Sequence, residues 1–262
     1  MLNERDIKTA LIDRLFEKGM LEEAVLINEM VIANWNRRAD IAVANGRLYA
    51  YEIKSDLDSL DRLEGQVSAY LDRFDKVTVV TTAKFISAVT AQVPEQVEIW
   101  EASGQSQSIT LRVVRRGRTK EISSRRMLCG FLLKSELLAL MRRHGISASP
   151  DEPRQALISL FQQVSTKDLR QFVLGCLKRR YRETFETFVQ QKGAKTTQID
   201  LDNLSKSKLS IKQRDSTTKE VSNEKSPSPR SYHSLDLDRL SQKYGGMPES
   251  MPSAVLRRTF RE

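Results

Sequence analysis

The stretch RADIAVANGRLYAYEIKS carries the groups best suited to chemistry, namely Asp40, Glu52 and Lys54. On a strand, residues two apart share a face, so Glu52 and Lys54 point one way and Ile53 the other. Asn45-Gly46 marks a turn between two runs of alternating character. A two-residue turn would leave Asp40 on the opposite face from Glu52. A three-residue loop, Ala44-Asn45-Gly46 with Gly46 left-handed, opposes Val43 to Arg47 and Asp40 to Ala50. That register gathers Asp40, Ala42, Leu48, Ala50, Glu52 and Lys54 on one face, with Ala39, Ile41, Val43, Tyr49, Tyr51 and Ile53 on the other. Because a one-residue slip flips every side chain, the cleaner partition selects this register, and Asp40 and Glu52 are expected to converge.

Two carboxylates beside one ammonium suit a hard divalent cation, Mg²⁺ or Mn²⁺, which takes oxygen ligands and retains waters for reaction. Phosphodiester hydrolysis is the natural use of such a group. The bland alternative is a cross-strand ion pair on an exposed sheet face. Other chemistries lack material: His144 and His233 are the two histidines, and Cys129 and Cys176 stand too far apart in sequence for a zinc pattern or a disulfide framework.

Positioning these groups requires a definite order of elements. Asn3 can cap a helix whose stripe is Ile7, Ala10, Leu11, Ile12 and Leu15, with Gly19 placed to end it. AVLINEMVIA, RADIAVA and RLYAYEIKS read as three antiparallel strands. From Leu57 the apolar spacing becomes helical through Phe74, and VTVVTT returns to a strand. A helix over 84–93 and strands at VEIWEA and SITLRVVRR would follow. Helices are then expected at 131–143, at 153–163 with Pro153 in a first turn, and at 166–191 with Thr166 as cap. The fold class is therefore α/β, an αβββαβ core with a mixed central sheet, followed by a basic α-helical module and a disordered tail.

That core, with Asp40 opening one strand and Glu52-Ile53-Lys54 on the next, resembles the PD-(D/E)XK nuclease superfamily and its restriction-endonuclease-like fold. Ala39 stands where the proline of the motif would be. Gln66-Val-Ser-Ala-Tyr70 is similar to the Q-x-x-x-Y motif of RecB-like members, and Gln66 puts an amide on the apolar stripe of its helix, where it needs polar partners. The resemblance covers about the first hundred residues and implies a Mg²⁺-dependent DNA nuclease. It implies catalytic roles for Asp40, Glu52, Lys54, Gln66 and Tyr70, and metal ligation by Asp40, Glu52 and the Ile53 carbonyl. Glu29, flanked by apolar residues in LINEMV, is the candidate for a further ligand, ahead of Glu4 and Glu17. Many such nucleases dimerise, so a homodimer is an expectation of the resemblance.

The charge is segregated. The chain has 43 Lys and Arg against 34 Asp and Glu, net +9, but residues 1–102 carry net −6 and residues 103–192 net +11. A basic module beside an acidic one suits a protein that holds a polyanion in one part and a cation in the other. Arg37 and Arg38 beside Asp40, and Arg142, Arg143, Lys178, Arg179 and Arg180 in the basic module, are the phosphate candidates. LLKSELLALMRRHGI with RQALISLF weakly resembles a SAP-like element. The domains expected are 1–120 (nuclease-like), 121–192 (basic helices) and 193–262 (mostly disordered tail). In the tail, Leu235, Leu237, Leu240 and Tyr244 could form a docking segment for a protein partner. No membrane span is expected, and the charged start points to the cytoplasm. The alternative to a nuclease is a nucleic-acid-binding or adaptor protein on the same fold that does not cut.

Overall fold

The computed structural model describes residues 1–32, 37–106, 108–204, 232–234 and 254–256. Helix α1 (Glu4–Glu17) begins as its sequence implies. The Asn3 side chain accepts from the Asp6 amide at 2.9 Å, and Gly19, with φ +64°, turns the chain away after the last turn. Its stripe of Ile7, Leu11, Ile12 and Leu15 is fully buried. Each such side chain contributes about 1.5–3 kcal/mol.

Six strands follow in one mixed sheet whose spatial order matches the chain order: β1 (Val25–Ile32), β2 (Arg37–Ala44), β3 (Leu48–Lys54), β4 (Lys76–Thr82), β5 (Glu98–Gln105) and β6 (Ser108–Arg115). The pairs β3–β4 and β4–β5 are parallel and the rest antiparallel. Parallel neighbours need crossover connections. Helix α2 (Leu63–Leu71) supplies the first, and a 3-10 turn (Ala83–Phe85) with α3 (Ile86–Gln92) the second. Buried side chains on both sheet faces, such as Leu48, Ala50, Ile41 and Val43, rule out an exposed ion-pair face.

The β2–β3 register differs from the expected one by two residues while keeping its parity. Ala44 pairs with Leu48 and Ala42 with Ala50, so the loop is Asn45-Gly46-Arg47. The Asn45 amide donates to the Arg47 carbonyl at 3.1 Å, and Gly46 takes φ +105° at the tip. Face assignments survive because a shift of two leaves every side chain where it was. The consequence is that Asp40 falls in line with Glu52 rather than with Ala50.

Helix α2 starts at Leu63, six residues later than the apolar spacing suggests. Residues 55–61 instead spend their polar groups elsewhere: Asp58 accepts locally from the Ser55 amide at 2.8 Å, and the Asp56 carboxylate accepts from the distant Leu2 amide at 2.8 Å. Such bonds compete with helix formation. Leu57 is left exposed.

The helices α4 (Arg125–Cys129), α5 (Lys134–Arg143), α6 (Arg154–Ser159, continuing into a 3-10 turn, Leu160–Gln163) and α7 (Thr166–Gln191) follow. The expected helix at 131–143 is shorter, and Ser165 rather than Thr166 caps α7, accepting from the Asp168 amide at 3.0 Å. Residues 1–213 form one compact unit, with α7 packed on β1 and β2. The buried Asp75 carboxylate ties three elements, accepting from the Leu48 amide at 2.7 Å, the Ile122 amide at 3.0 Å and the Arg170 guanidinium.

Residues 193–204, assigned by composition to the disordered tail, are ordered. Thr196 donates through its amide and hydroxyl to Asp13 at 2.9 and 2.6 Å, and helix α8 (Gln198–Asn203) brings Leu201 into the core beside Leu204. Two leucines and one well-placed carboxylate suffice to anchor a segment that composition reads as polar. In a second unit, Arg214–Glu262, the described strands β7 (Tyr232–Ser234) and β8 (Ala254–Leu256) pair antiparallel. The Leu235, Leu237, Leu240 and Tyr244 cluster lies outside the described residues. Among the described residues, both cysteines are free and buried, and no helix is long and apolar enough to cross a membrane.

Candidate active site

Four of the residues singled out from sequence meet in one hydrogen-bonded group, with Asp40 held beside it by the Ile53 amide. Lys54 Nζ donates to Glu52 Oε1 at 2.8 Å and to Gln66 Oε1 at 3.1 Å. The Tyr70 hydroxyl lies 2.8 Å from Glu52 Oε2 and 2.7 Å from the Arg38 carbonyl, its single hydrogen shared between two acceptors. Asp40 Oδ2 accepts from the Ile53 amide at 2.7 Å. Strand spacing puts Glu52 and Lys54 on the face that α2 covers. On α2, Gln66 and Tyr70 lie one turn apart and both look at that face.

The same alternation turns the Ile53 side chain away and leaves its backbone beside the carboxylates. The Asp40 side chain stands where the next ladder rung would be, since β2 and β3 pair only from Ile41–Tyr51 to Ala44–Leu48. The strands separate where the carboxylates gather.

Electrostatics mark the spot. Burial above all, and then the negative charge of Glu52, push the Asp40 carboxyl from its ordinary 3.8 up to about 8, partly offset by Lys8 and by the Ile53 N–H. Burial and Glu52 likewise raise the Tyr70 phenol, which stays protonated and can only donate to the carboxylate.

Glu29 departs from its expected setting. It is not buried among apolar residues but half-exposed, at the rung opposite Asp40 where β1–β2 pairing is interrupted between Asn28–Ile41 and Met30–Ala39. Its φ of +55° is left-handed, a conformation rare for a residue with a side chain. Glu29 Oε2 lies 3.1 Å from Arg38 Nη1, and Oε1 lies 3.8 Å from Lys8 Nζ. Lys8 was missed from sequence. Its ammonium also lies 3.0 Å from Glu4 Oε1, although the residue is only 3% exposed. The available signal was its place on the stripe of α1, between Ile7 and Leu11 and one turn after Glu4, where a lysine head must find carboxylates or be desolvated at a cost.

Among the described residues, no three His, Cys, Asp or Glu side chains form a ready-made metal cage. The donor set that is present, two carboxylates and the Ile53 carbonyl, is all oxygen, and burial together with the neighbouring Glu52 raises the Asp40 carboxyl. Both features fit a hard cation that retains several waters. Arg37 is exposed at the start of β2, with its guanidinium beside Gly65 of α2. The other basic candidates sit on different elements. Arg142 and Arg143 are exposed at the end of α5, Lys178 is half-buried on α7, and exposed Arg179 lies 3.1 Å from Cys176 Sγ. Arg180 is engaged internally by Glu136 and the Phe131 carbonyl.

Comparison with known proteins places the whole chain. Residues 1–207 match the family described as bacteriophage P4 protein cII. Protein cII of Enterobacteria phage P4 is 40% identical over 263 residues, covering 98% of this chain and 98% of that protein. Among solved structures, a protein of unknown function from Silicibacter pomeroyi aligns over 54% of this chain and 92% of its own, at 17% identity and a TM-score of 0.34.

Proposed function

The chain belongs to the bacteriophage P4 cII family, and we propose that it is a Mg²⁺- or Mn²⁺-dependent nuclease, acting on DNA, built on a restriction-endonuclease-like core. One observation carries the reading. Glu52, Lys54, Gln66 and Tyr70, drawn from a strand and a helix, form a continuous hydrogen-bonded chain beside a carboxyl pushed up to about 8. A structural ion pair needs one acid and one base. It needs neither a second acid held against the first nor an amide and a phenol fixing both partners.

Asp40, Glu52 and the Ile53 carbonyl would hold the cation. When bound, it supplies polarisation of a phosphoryl oxygen and a lower pKa for a coordinated water. The chain's own residues do the rest. Lys54 orients the attacking water and stabilises charge developing on the phosphate. Gln66 and Tyr70 hold Lys54 and Glu52 in place, and Arg37 and Arg38 at the mouth can receive neighbouring phosphates.

The test incubates single-stranded, duplex and branched DNA, and RNA, with the protein in Mg²⁺, Mn²⁺ or chelator. Cleavage that requires the metal and falls about 100-fold or more in Lys54→Met is expected. Identical behaviour of folded wild type and Lys54→Met would overturn the assignment. A second reading, a nucleic-acid binder that does not cut, is favoured by the internal pairing of Glu29 with Arg38 and Lys8, and of Glu52 with Lys54. It predicts retention on DNA in chelator and no cleavage with any divalent ion.

A further inference from the structure

The basic helices divide their arginines into two kinds. Arg125 and Arg154 donate to the Val164 and Cys129 carbonyls at 2.9 and 2.7 Å, and Arg170 and Arg180 are paired with Asp75 and Glu136. Arg143, at the end of α5, and Arg179, in the second half of α7, are exposed, and among the described residues neither guanidinium meets a carboxylate or a carbonyl. Arg179 Nη2 lies 3.1 Å from Cys176 Sγ, a weak acceptor that leaves most of its donors unspent. Both uncommitted guanidiniums line one cavity between α5 and α7, of about 330 Å³. That volume falls within the roughly 300–1,000 Å³ of small-ligand sites.

The rest of the lining is mixed in a particular way. Asp168 supplies the carboxylate of the wall, and it is already engaged at the start of α7, accepting from the Ser165 hydroxyl at 2.8 Å while its amide donates to that oxygen at 3.0 Å. Two guanidiniums against one hydrogen-bonded carboxylate favour an anion. The dipole of α5 accounts for a cation in its last turn, but not for Arg179 reaching the same space from α7. Exposed His144 adds a ring N–H in either tautomer, Gln171 an amide, and half-buried Phe172 an aromatic surface.

Gly175 sits well inside α7, where a glycine costs about 1 kcal/mol relative to alanine. A Cβ added there would stand 3.3 Å from Arg179 Nη1 and meet nothing else within 4 Å. The missing side chain keeps the cavity open and lets the Arg179 guanidinium fold back over the preceding turn. A duplex stacks its bases inside and offers a concave site only its backbone, whereas an unpaired nucleotide offers a phosphate, a base edge and a face for stacking. We propose that this cavity receives one unpaired nucleotide of a single strand, its phosphate held by Arg143 and Arg179 and its base against Phe172 and Gln171. The inference rests on nucleic acid as the ligand, which the cutting and non-cutting readings share, and not on cleavage.

Fluorescence anisotropy of a labelled oligothymidine, alone and annealed to its complement, measures binding to the full chain in chelator. Metal-dependent cleavage is scored separately, so failure of this site and failure of the nuclease reading are distinguishable. Gly175→Leu fills the cavity, keeps every charge and suits a helix better than glycine. It should weaken single-strand binding about 10-fold or more and leave duplex binding unchanged, and Phe172→Leu should do the same through the lost stacking. Arg179→Gln should flatten the dependence of log single-strand affinity on log salt by about 0.7. Single-strand affinity in Gly175→Leu equal to wild type, equal losses on strand and duplex in Gly175→Leu and Phe172→Leu, or an unchanged slope in Arg179→Gln would overturn the proposal. So would a wild type that fails to bind the single strand in chelator, which leaves cleavage to decide the nuclease reading. Should Gly175→Leu fail to fold, Phe172→Leu decides by the same comparison, and Arg179→Gln, altered at an exposed position, decides if neither folds.

Discussion

At the scale of single residues, the most telling group is Asp40. A carboxyl held at about 8 against an ordinary 3.8 keeps its proton in the folded chain after the unfolded chain has released its own. The folded state therefore binds more protons between those values, and stability is lost as pH rises from about 4 to about 8. Asp40→Asn mimics the neutral form. In chelator it should melt at the same temperature as wild type near pH 3, below both values, and higher by about 3 °C or more at pH 8. Wild type should recover that difference with millimolar Mg²⁺, because an ion bound only by the folded chain stabilises it, whereas Asp40→Asn should not respond. Thermal melts across pH, with and without metal, check both signs. Much of this residue set was legible beforehand. Gln66 announced itself as an amide on an apolar stripe, and parity put Asp40 on the same face as Glu52, though the register aligning the two was off by two. The setting of Glu29 was not legible, because it depends on a left-handed residue in mid-strand and on an ammonium arriving from α1.

At the scale of elements, the strands and their order follow from local patterning, and the departures have local causes. The β2–β3 loop shifted by two because parity is constrained by burial, whereas loop position is set only by which residues the turn can accommodate. The late start of α2 reflects Asp56 and Asp58 bonding to nearby backbone and to Leu2, a partner 54 residues away that no periodicity encodes. The Asp75–Arg170 pair is of the same kind. Asp75 sits at the entrance to β4 and satisfies two amides and a guanidinium with one buried carboxylate. Asp75→Ala leaves all three donors unpaired and should cost about 3–5 kcal/mol, lowering the melting temperature by roughly 10 °C. Arg170→Met should cost less, since the two amides retain their acceptor. Denaturant unfolding of the two variants would show the order, and equal losses would mean that the ion pair, not the amide anchoring, carries the stability.

At the scale of the whole molecule, charge and architecture have to be considered together. Residues 103–192 carry net +11 and the first 102 carry net −6, yet both belong to one compact unit whose core runs from the sheet into α7. Composition alone misjudged where that unit ends, because α8 needs only Leu201, Leu204 and the Thr196–Asp13 bonds to be held. It also treated all basic residues alike, whereas the structure divides them. Arg142 and Arg143 are exposed at the C-terminal end of α5, while Arg180 is spent on Glu136 and a carbonyl. If the basic region holds a polyanion, the exposed pair makes the phosphate contacts and Arg180 does not. The double variant Arg142→Ala, Arg143→Ala should then weaken DNA binding and flatten the dependence of log affinity on log salt by as much as about 2, roughly one unit for each phosphate left unneutralised. Arg180→Ala should leave that slope unchanged and instead lower stability by about 2 kcal/mol, by freeing a half-buried Glu136. Titrations at several salt concentrations, paired with thermal melts, separate the two. A slope that moves with Arg180 and not with Arg142 and Arg143 would place the polyanion on the other side of α7.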